Sequence, residues 1–347
     1  MQNTQRIEAF LALGNNLESF IRHFNDENRG EKQTEFNQKL ELAKAQNAWF
    51  DIDNQLFALN SWAQALQKEN LIKWLSAYHF PESQNPKTVG IITAGNIPLV
   101  GFHDIVTVIL SGNIAQIKLS SHDAVLIPYL LQMLTEIEPK MVYQFQCVEK
   151  LQNYDMVIAT GSDNTARYFE AYFKHVPHVI RKNRTSAAVL TGDETSEDLQ
   201  GLAQDILQHY GLGCRNITKL FLPANYNLDL IFNALYSWKE LINHHKYANN
   251  YDYHKAIYLM ENAKLTENGF VLFKEDERLF SPVSTVFYEF YSSMNEVEEK
   301  LDNLSEKIQC IVGLGEKFID FGEAQRPKLW EYADHVDTMK FLISASK

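Results

Sequence analysis

A change of hydrophobic rhythm at Lys87 constrains this chain more than any other feature. Beyond it, short runs rich in Ile and Val alternate with longer runs whose apolar residues return at helical spacing. TVGIITA, IAQIKLS, MVYQFQCV, DMVIAT and SAAVL read as strands. IPLVGFHDIVTVILSG, AVLIPYLLQMLTEI and SDNTARYFEAYF read as helices among them. Strands that are apolar on both faces need cover on both, and crossover helices make neighbouring strands parallel. The pattern therefore predicts an α/β fold with a mostly parallel sheet, of the kind that binds nucleotides. The dinucleotide fingerprint GxGxxG is missing from it.

Before Lys87 the periodicity is helical throughout, in IEAFLALGNNLESFIRHF, FNQKLELAKAQNAWF and LFALNSWAQALQKENLIKWLSAYHF. Asp51 or Asp53 caps the third run, and Trp49, Trp62 and Trp74 fill this layer. Pro81 through Pro86 mark a break. A second α/β region is expected from near Asp193. SEDLQGLAQDILQHY forms a helix there with Ser196 as its cap, ITKLFLP a strand and LDLIFNALYSWKELIN a helix. VLFKEDERLFSPVSTVFYEFY then gives strands and turns, and NEVEEKLDNLSEKIQCIVGL a helix feeding a strand.

Charge and cysteine content narrow the function. The 347 residues carry 32 Lys and Arg against 44 Asp and Glu, a net charge of −12, with no long basic run. Such a surface repels phosphodiesters, so nucleic acid is excluded as an expected partner. The three cysteines, Cys147, Cys214 and Cys310, are too widely spaced for a disulfide framework or a metal site. A reducing, cytoplasmic location fits them. The start MQNTQRIEAF has no signal-peptide pattern, and no apolar run reaches membrane-spanning length.

The sharpest local signal is Tyr210-Gly211-Leu212-Gly213-Cys214-Arg215-Asn216, set between a helix and a strand. Its glycines permit tight turns and leave room beside the sulfur, and Arg215 and backbone amides suit a thiolate. Cys147 and Cys310 lie in apolar runs and read as core. Thr93-Ala94-Gly95-Asn96-Ile97-Pro98 ends the first strand, where the Asn96 amide can meet a developing oxyanion. Lys118 with Ser120 and Ser121 ends the next strand, and Thr160-Gly161-Ser162 ends another and enters a helix. His209 suits helix packing better than service as a base for Cys214, and no metal site emerges.

Taken in order, these segments resemble the aldehyde dehydrogenase superfamily, in its acyl-CoA reductase (LuxC-type) branch, from about residue 87 to residue 312. The resemblance implies an aldehyde dehydrogenase-like fold, with a variant cofactor-binding parallel-sheet domain plus a second α/β catalytic domain. By the same resemblance AGNIP supplies an oxyanion donor in Asn96, and GLGCRN supplies the nucleophile in Cys214. IKLSSHD and ATGSD place Lys118, Ser120, Ser121, Gly161 and Ser162 against the cofactor. ERLFSPV places Phe280 beside the nicotinamide ribose, with Arg278 where relatives hold that ribose by a glutamate. The expected organisation is residues 1–190 for the helices and cofactor domain, 191–312 for the cysteine domain and 313–347 for a return segment.

Two departures sharpen the expectation. PHVIRKNRTSAAVL has Ile180 about where relatives carry the glutamate that activates water for hydrolysis of an acyl-enzyme. Its loss points to acyl exchange with a thiol. Ser121 stands where NAD-preferring relatives often hold both ribose hydroxyls with a glutamate, so NADPH is expected, with NADH next. The expected activity is reduction of an acyl-CoA or acyl-carrier thioester to an aldehyde through an S-acyl-cysteine. The resemblance also implies an acyl-delivering protein and is compatible with a homo-oligomer. The same residues serve oxidation of aldehyde to acyl-CoA. A cysteine acyltransferase or thioesterase, or a non-catalytic thioester-binding subunit, are the alternatives.

Overall fold

The computed structural model describes residues 1–27, 29–80 and 85–345. The chain forms two compact units, Met1–Lys182 with Lys328–Lys347 and Asn183–Pro327. The first opens with helices α1 (Asn3–Arg22), α2 (Glu31–Gln46), α3 (Ile52–Ala65) and α4 (Lys68–Ser76). The third periodic run thus splits in two at Leu66 and Gln67. Asp51 caps α3, accepting the Asn54 N–H at 2.7 Å. The α/β layer follows as β1 (Thr88–Ile92), α5 (Phe102–Leu110), β2 (Ile114–Lys118), α6 (Leu126–Ile137), β3 (Phe145–Cys147), β4 (Met156–Thr160), α7 (Asp163–Phe173) and β5 (His178–Arg181). Of the expected break, Pro81 to Gln84 lie outside the described residues.

The five strands pair in the order β3-β2-β1-β4-β5, all parallel. Alternation along β4 shows how both faces are covered. Met156 and Ile158 enter the large core shared with α1, α5 and α6, while Val157 and Ala159 pack with Leu151 and Phe173 on the other face. Cys147, expected in the core, is exposed, because β3 is an edge strand at the margin of that cover.

The second unit runs β6 (Thr185–Val189), α8 (Ser196–Leu207), β7 (Ile217–Pro223), α9 (Leu228–Leu235), α10 (His245–Met260), β8 (Leu265–Glu267), β9 (Leu272–Glu275), β10 (Thr285–Tyr291), α11 (Met294–Leu304) and β11 (Ile308–Gly313). Its sheet has the order β11-β6-β7-β10-β9-β8, parallel except between β8 and β9. SAAVL, expected in the first sheet, is therefore β6 of the second. Thr195, one residue before the expected Ser196, caps α8 and makes a capping box with Asp198. Helix α10 escapes a reading of aliphatic periodicity because its buried side chains are Tyr247, Tyr251 and Tyr258.

Beyond Pro327 the chain returns to the first unit and ends in α12 (Thr338–Ala345). The return is tied by polar contacts inside the core. The Trp74 indole donates to the Tyr332 hydroxyl at 2.6 Å, and the Tyr78 hydroxyl donates to the Asp337 carboxylate at 3.0 Å. Arg181 makes two parallel bonds to Asp104, at 2.8 and 2.7 Å, and a third to the Thr338 hydroxyl. Both ionic side chains are buried. Removing one partner of such a pair leaves a desolvated charge, which costs about 3–5 kcal/mol. Arg181→Met should show a loss of that order in denaturant unfolding, and adding Asp104→Leu should restore much of it. A double variant no more stable than Arg181→Met would contradict the ion-pair account.

Candidate active site

In the first unit, strand order decides which loops meet. β1 lies between β2 and β4, and all three point the same way, so their carboxyl ends share one edge. The chain winds from β1 through β2 to β3, then crosses back to β4 and β5. The reversal between β1 and β4 is a topological switch point, where open parallel sheets gather ligands. Thr93–Asn96 leaves β1 there, Lys118, Ser120 and Ser121 leave β2, and Gly161 and Ser162 leave β4. Asn96, Lys118, Ser121 and Ser162 are exposed, and Ser120 and Gly161 are half-buried. Ser162 caps α7, its hydroxyl accepting the Thr165 N–H at 3.4 Å.

The β1 and β2 loops are interlocked. The Ser120 N–H donates to the Thr93 hydroxyl at 3.0 Å, and the Thr93 N–H to the Lys118 carbonyl at 3.2 Å. A Cβ at Gly95 would lie 2.6 Å from the Ser120 Oγ, so only glycine allows this approach. Asp123, also in the β2 loop, is buried and accepts the Leu99 N–H on Oδ2 at 2.8 Å. Burial pushes its carboxyl up to about 7 against the opposing pull of that amide.

In the second unit, Cys214 lies at the amino end of β7, half-buried, on the loop that follows α8. The loop contains three successive left-handed residues, His209 (φ 53°), Tyr210 (φ 59°) and Gly211 (φ 73°). The first two are costly, about 1–3 kcal/mol each, so the surroundings must impose them. Asn216 does much of that. Fully buried, it accepts the Gly213 N–H on Oδ1 at 2.7 Å and donates from Nδ2 to the carbonyls of Asp205 at 3.0 Å and Gln208 at 2.9 Å. Tyr210 is braced by His244, whose ring packs against it at a tilt of 38° with centroids 4.5 Å apart. Ser186 on β6 donates its hydroxyl to the Cys214 carbonyl at 3.0 Å. Its proton is thereby used, so its contact with the Cys310 Sγ at 3.1 Å is a thiol donating to Oγ, beside the Cys310 N–H at 3.1 Å.

The Phe280 loop reaches the same edge. Thr218 donates to the Leu279 carbonyl at 2.9 Å, and the buried Lys219 ammonium donates to the Asp276 carbonyl. Phe280 itself is exposed. Arg278 is engaged by Asp276, at 2.9 Å from Nε and 2.6 Å from Nη2. Two expectations for the cysteine loop are refined. Arg215 donates from Nε to the Ala324 carbonyl, so its guanidinium holds a turn. His209 is buried and pushed down to about 4 by desolvation, which keeps it neutral and a weak base.

The structure thus gathers Asn96, Lys118, Ser120, Ser121, Gly161 and Ser162 on one edge of the first unit, and Cys214 with the Phe280 loop on one edge of the second. The supporting residues Asp123, Ser186, Asp205 and Asn216 are absent from a reading of exposed chemistry. Asp123 and Asn216 lie within quoted motifs but carry no role there, and Asp205 left a signal as a carboxylate three residues after Leu202 on the apolar face of α8. It accepts the N–H groups of Gly322 at 2.7 Å and Ala324 at 3.1 Å. Among the described residues, no group of three or more His, Cys, Asp or Glu side chains is placed to hold a metal ion, and no helix is long and apolar enough to cross a membrane.

Residues 63–230 match the protein family described as acyl-CoA reductase (LuxC). That stretch contains every candidate residue except Phe280. Among solved structures, the aldehyde dehydrogenase KauB from Pseudomonas aeruginosa is similar at 12% identity and a TM-score of 0.64, covering 91% of this chain and 72% of its own. The indole-3-acetaldehyde dehydrogenase AldA of P. syringae, in complex with NAD+ and IAA, matches at 11% identity and 0.64, covering 90% and 72%. A Mycobacterium tuberculosis aldehyde dehydrogenase complexed with NAD+ matches at 15% and 0.60, covering 90% and 73%. These likenesses establish the fold. No curated protein matches.

Asp205, like Asp123, is pushed up to about 7 by burial, against the pull of its two amide donors. A folded value above the unfolded one means that the folded state binds the extra proton between about pH 4 and 7. Unfolding free energy should therefore fall as pH rises through that window, by at most about 1.4 kcal/mol per unit per group. Denaturant titrations of wild type and Asp205→Asn at pH 4.5 to 7.5 should show a shallower slope in the variant. An unchanged slope would exclude Asp205 as a source.

Proposed function

We propose that this chain, which matches the acyl-CoA reductase (LuxC) family through residues 63–230, reduces an acyl thioester to an aldehyde at Cys214. The observation that carries the reading is the Cys214 loop. It presents a half-buried thiol on a strained backbone held by Asn216 and Ser186, within the matched stretch. A nucleophile needs such fixed geometry because misplacement by an ångström costs about a hundredfold in rate.

In this mechanism the Cys214 thiolate attacks the thioester carbonyl carbon. The oxygen takes the negative charge, and the Asn96 amide is assigned to stabilise it. The bond from carbon to the carrier sulfur breaks, and the carrier leaves as a thiol with the proton that Cys214 lost. An S-acyl-cysteine remains. Lys118, Ser121 and Ser162 would hold a reduced nicotinamide cofactor, which would supply the hydride that the acyl carbon takes up. The bond from that carbon to Cys214 then breaks, which releases aldehyde and restores the thiolate. Hydrolysis of the acyl-enzyme would compete, and Ile180 on β5, half-buried and apolar, offers no base for it.

The edge at the switch point fits the cofactor. The N-terminal turn of α7 provides amides for a diphosphate, and Lys118 and Ser121 are exposed at the end of β2. In the loop after β2 the acidic residue, Asp123, is buried and accepts the Leu99 N–H, so it adds no exposed negative charge beside Lys118 and Ser121. NADPH is accordingly assigned ahead of NADH, and the acyl donor is an acyl-CoA or an acyl-carrier thioester. Mixing the protein with NADPH and acyl-CoAs of increasing length should deplete the reduced-nicotinamide absorbance in wild type and leave Cys214→Ser inactive. Turnover by Cys214→Ser would exclude the covalent route. Lys118→Ala should weaken NADPH at least tenfold more than NADH, and equal losses would remove the phosphate assignment.

A further inference from the structure

We propose that Asp123 is a positioning residue for the Asn96 segment, its buried carboxyl group fixing Leu99 and so tying the loop after β1 to the loop after β2. The inference rests on the assignment of Asn96 as oxyanion donor and adds to it the means by which that donor is held.

Leu99 is the reason a clamp is needed. It stands three residues beyond Asn96, is 1% exposed and has φ 60°, a left-handed conformation that a leucine adopts only under constraint. Its side chain is fixed in the core, and its N–H donates to Asp123 Oδ2 at 2.8 Å. Without that acceptor the N–H would be buried and unsatisfied, and the turn carrying Asn96 would relax to recover a partner. Asp123 is itself anchored from the β2 side. Its N–H donates to the Ser120 carbonyl at 3.1 Å, and the preceding His122 carbonyl accepts from Asn47 Nδ2 at 3.2 Å. On the β1 side, Gly95 lies so close that an added Cβ would be 3.1 Å from the Asp123 nitrogen. Asn96 therefore sits between two fixed points, Gly95 against Ser120 and Leu99 against Asp123.

The second carboxyl oxygen supports the same role. Oδ1 is buried and has no hydrogen-bond partner among the described residues. Burying a carboxyl is costly, and the hydrogen bond that offsets this cost is the one to Leu99. Burial pushes the group up to about 7, so near neutrality much of it is the neutral acid, of which asparagine is a close mimic. This separates the hydrogen bond from the charge. Asp123→Asn keeps an acceptor for Leu99, and Asp123→Ala does not.

The test is the single-turnover rate of Cys214 acylation by an acyl-CoA without cofactor, read by intact mass, in wild type, Asp123→Ala, Asp123→Asn, Asn96→Ala and the Asp123→Ala/Asn96→Ala double variant. Asp123→Ala should slow acylation roughly tenfold, Asp123→Asn should stay within about twofold of wild type, and the double variant should be no slower than Asn96→Ala alone. Should Asp123→Ala fail to fold, Asp123→Ser, too short to reach Leu99, takes its place in the same cycle. Multiplicative losses in the double variant, or an Asp123→Asn rate as low as that of Asp123→Ala, would overturn the positioning role. An Asn96→Ala rate equal to wild type would instead remove the oxyanion assignment beneath it, a distinguishable failure.

Discussion

A parallel sheet covered on both faces has few places where chemistry can happen. Its inner strands are largely apolar, its crossover helices cover it above and below, and the loops at the strand ends meet solvent. Both units obey this constraint. In the first, the reversal of strand order at β1 and β4 selects which carboxyl-end loops meet. In the second, Cys214 and the Phe280 loop lie at the amino ends of β7 and β10, so the cysteine is offered by a loop before its strand. The placement of the candidate residues follows from topology first and from side-chain identity second.

What holds these loops is a set of buried polar groups with nearly every donor and acceptor committed. Asn216 closes the cysteine turn, Ser186 fixes the Cys214 carbonyl, and Asp205 grips the turn at Gly322 and Ala324 to which Arg215 is bonded. Such groups contribute little net stability per bond, but leaving one partner unsatisfied is expensive. They therefore specify one loop conformation more than they add to the depth of the fold. Arg181 and Asp104 serve the first unit in the same way, joining α5, β5 and the returning α12.

Much of this was legible in the amino-acid sequence, for physical reasons. Short apolar runs announced β1, β2, β4, β7 and β11, and the glycines around Cys214 announced a tight turn. The misreadings share a cause. Cys147 sits in an apolar run but on an edge strand, and run composition carries no information on strand order. SAAVL reads equally well in either sheet, because its neighbours β7 and β11 come later in the chain. Helix α10 hides its stripe in tyrosines, which hydropathy scores weakly. The supporting roles of Asp123, Ser186 and Asn216 were not legible because a buried polar side chain declares its role only through its partners, and those partners are mostly backbone groups.

The proposed chemistry requires that Cys214 carry the acyl group that is then reduced. The most direct measurement is intact-mass analysis of the protein after exposure to an acyl-CoA, followed by a chase with NADPH. An acyl adduct located on Cys214, stable in buffer and discharged as aldehyde only when NADPH is added, is the predicted result. Discharge as free carboxylate at the same rate with or without NADPH would contradict it and make the protein a thioesterase.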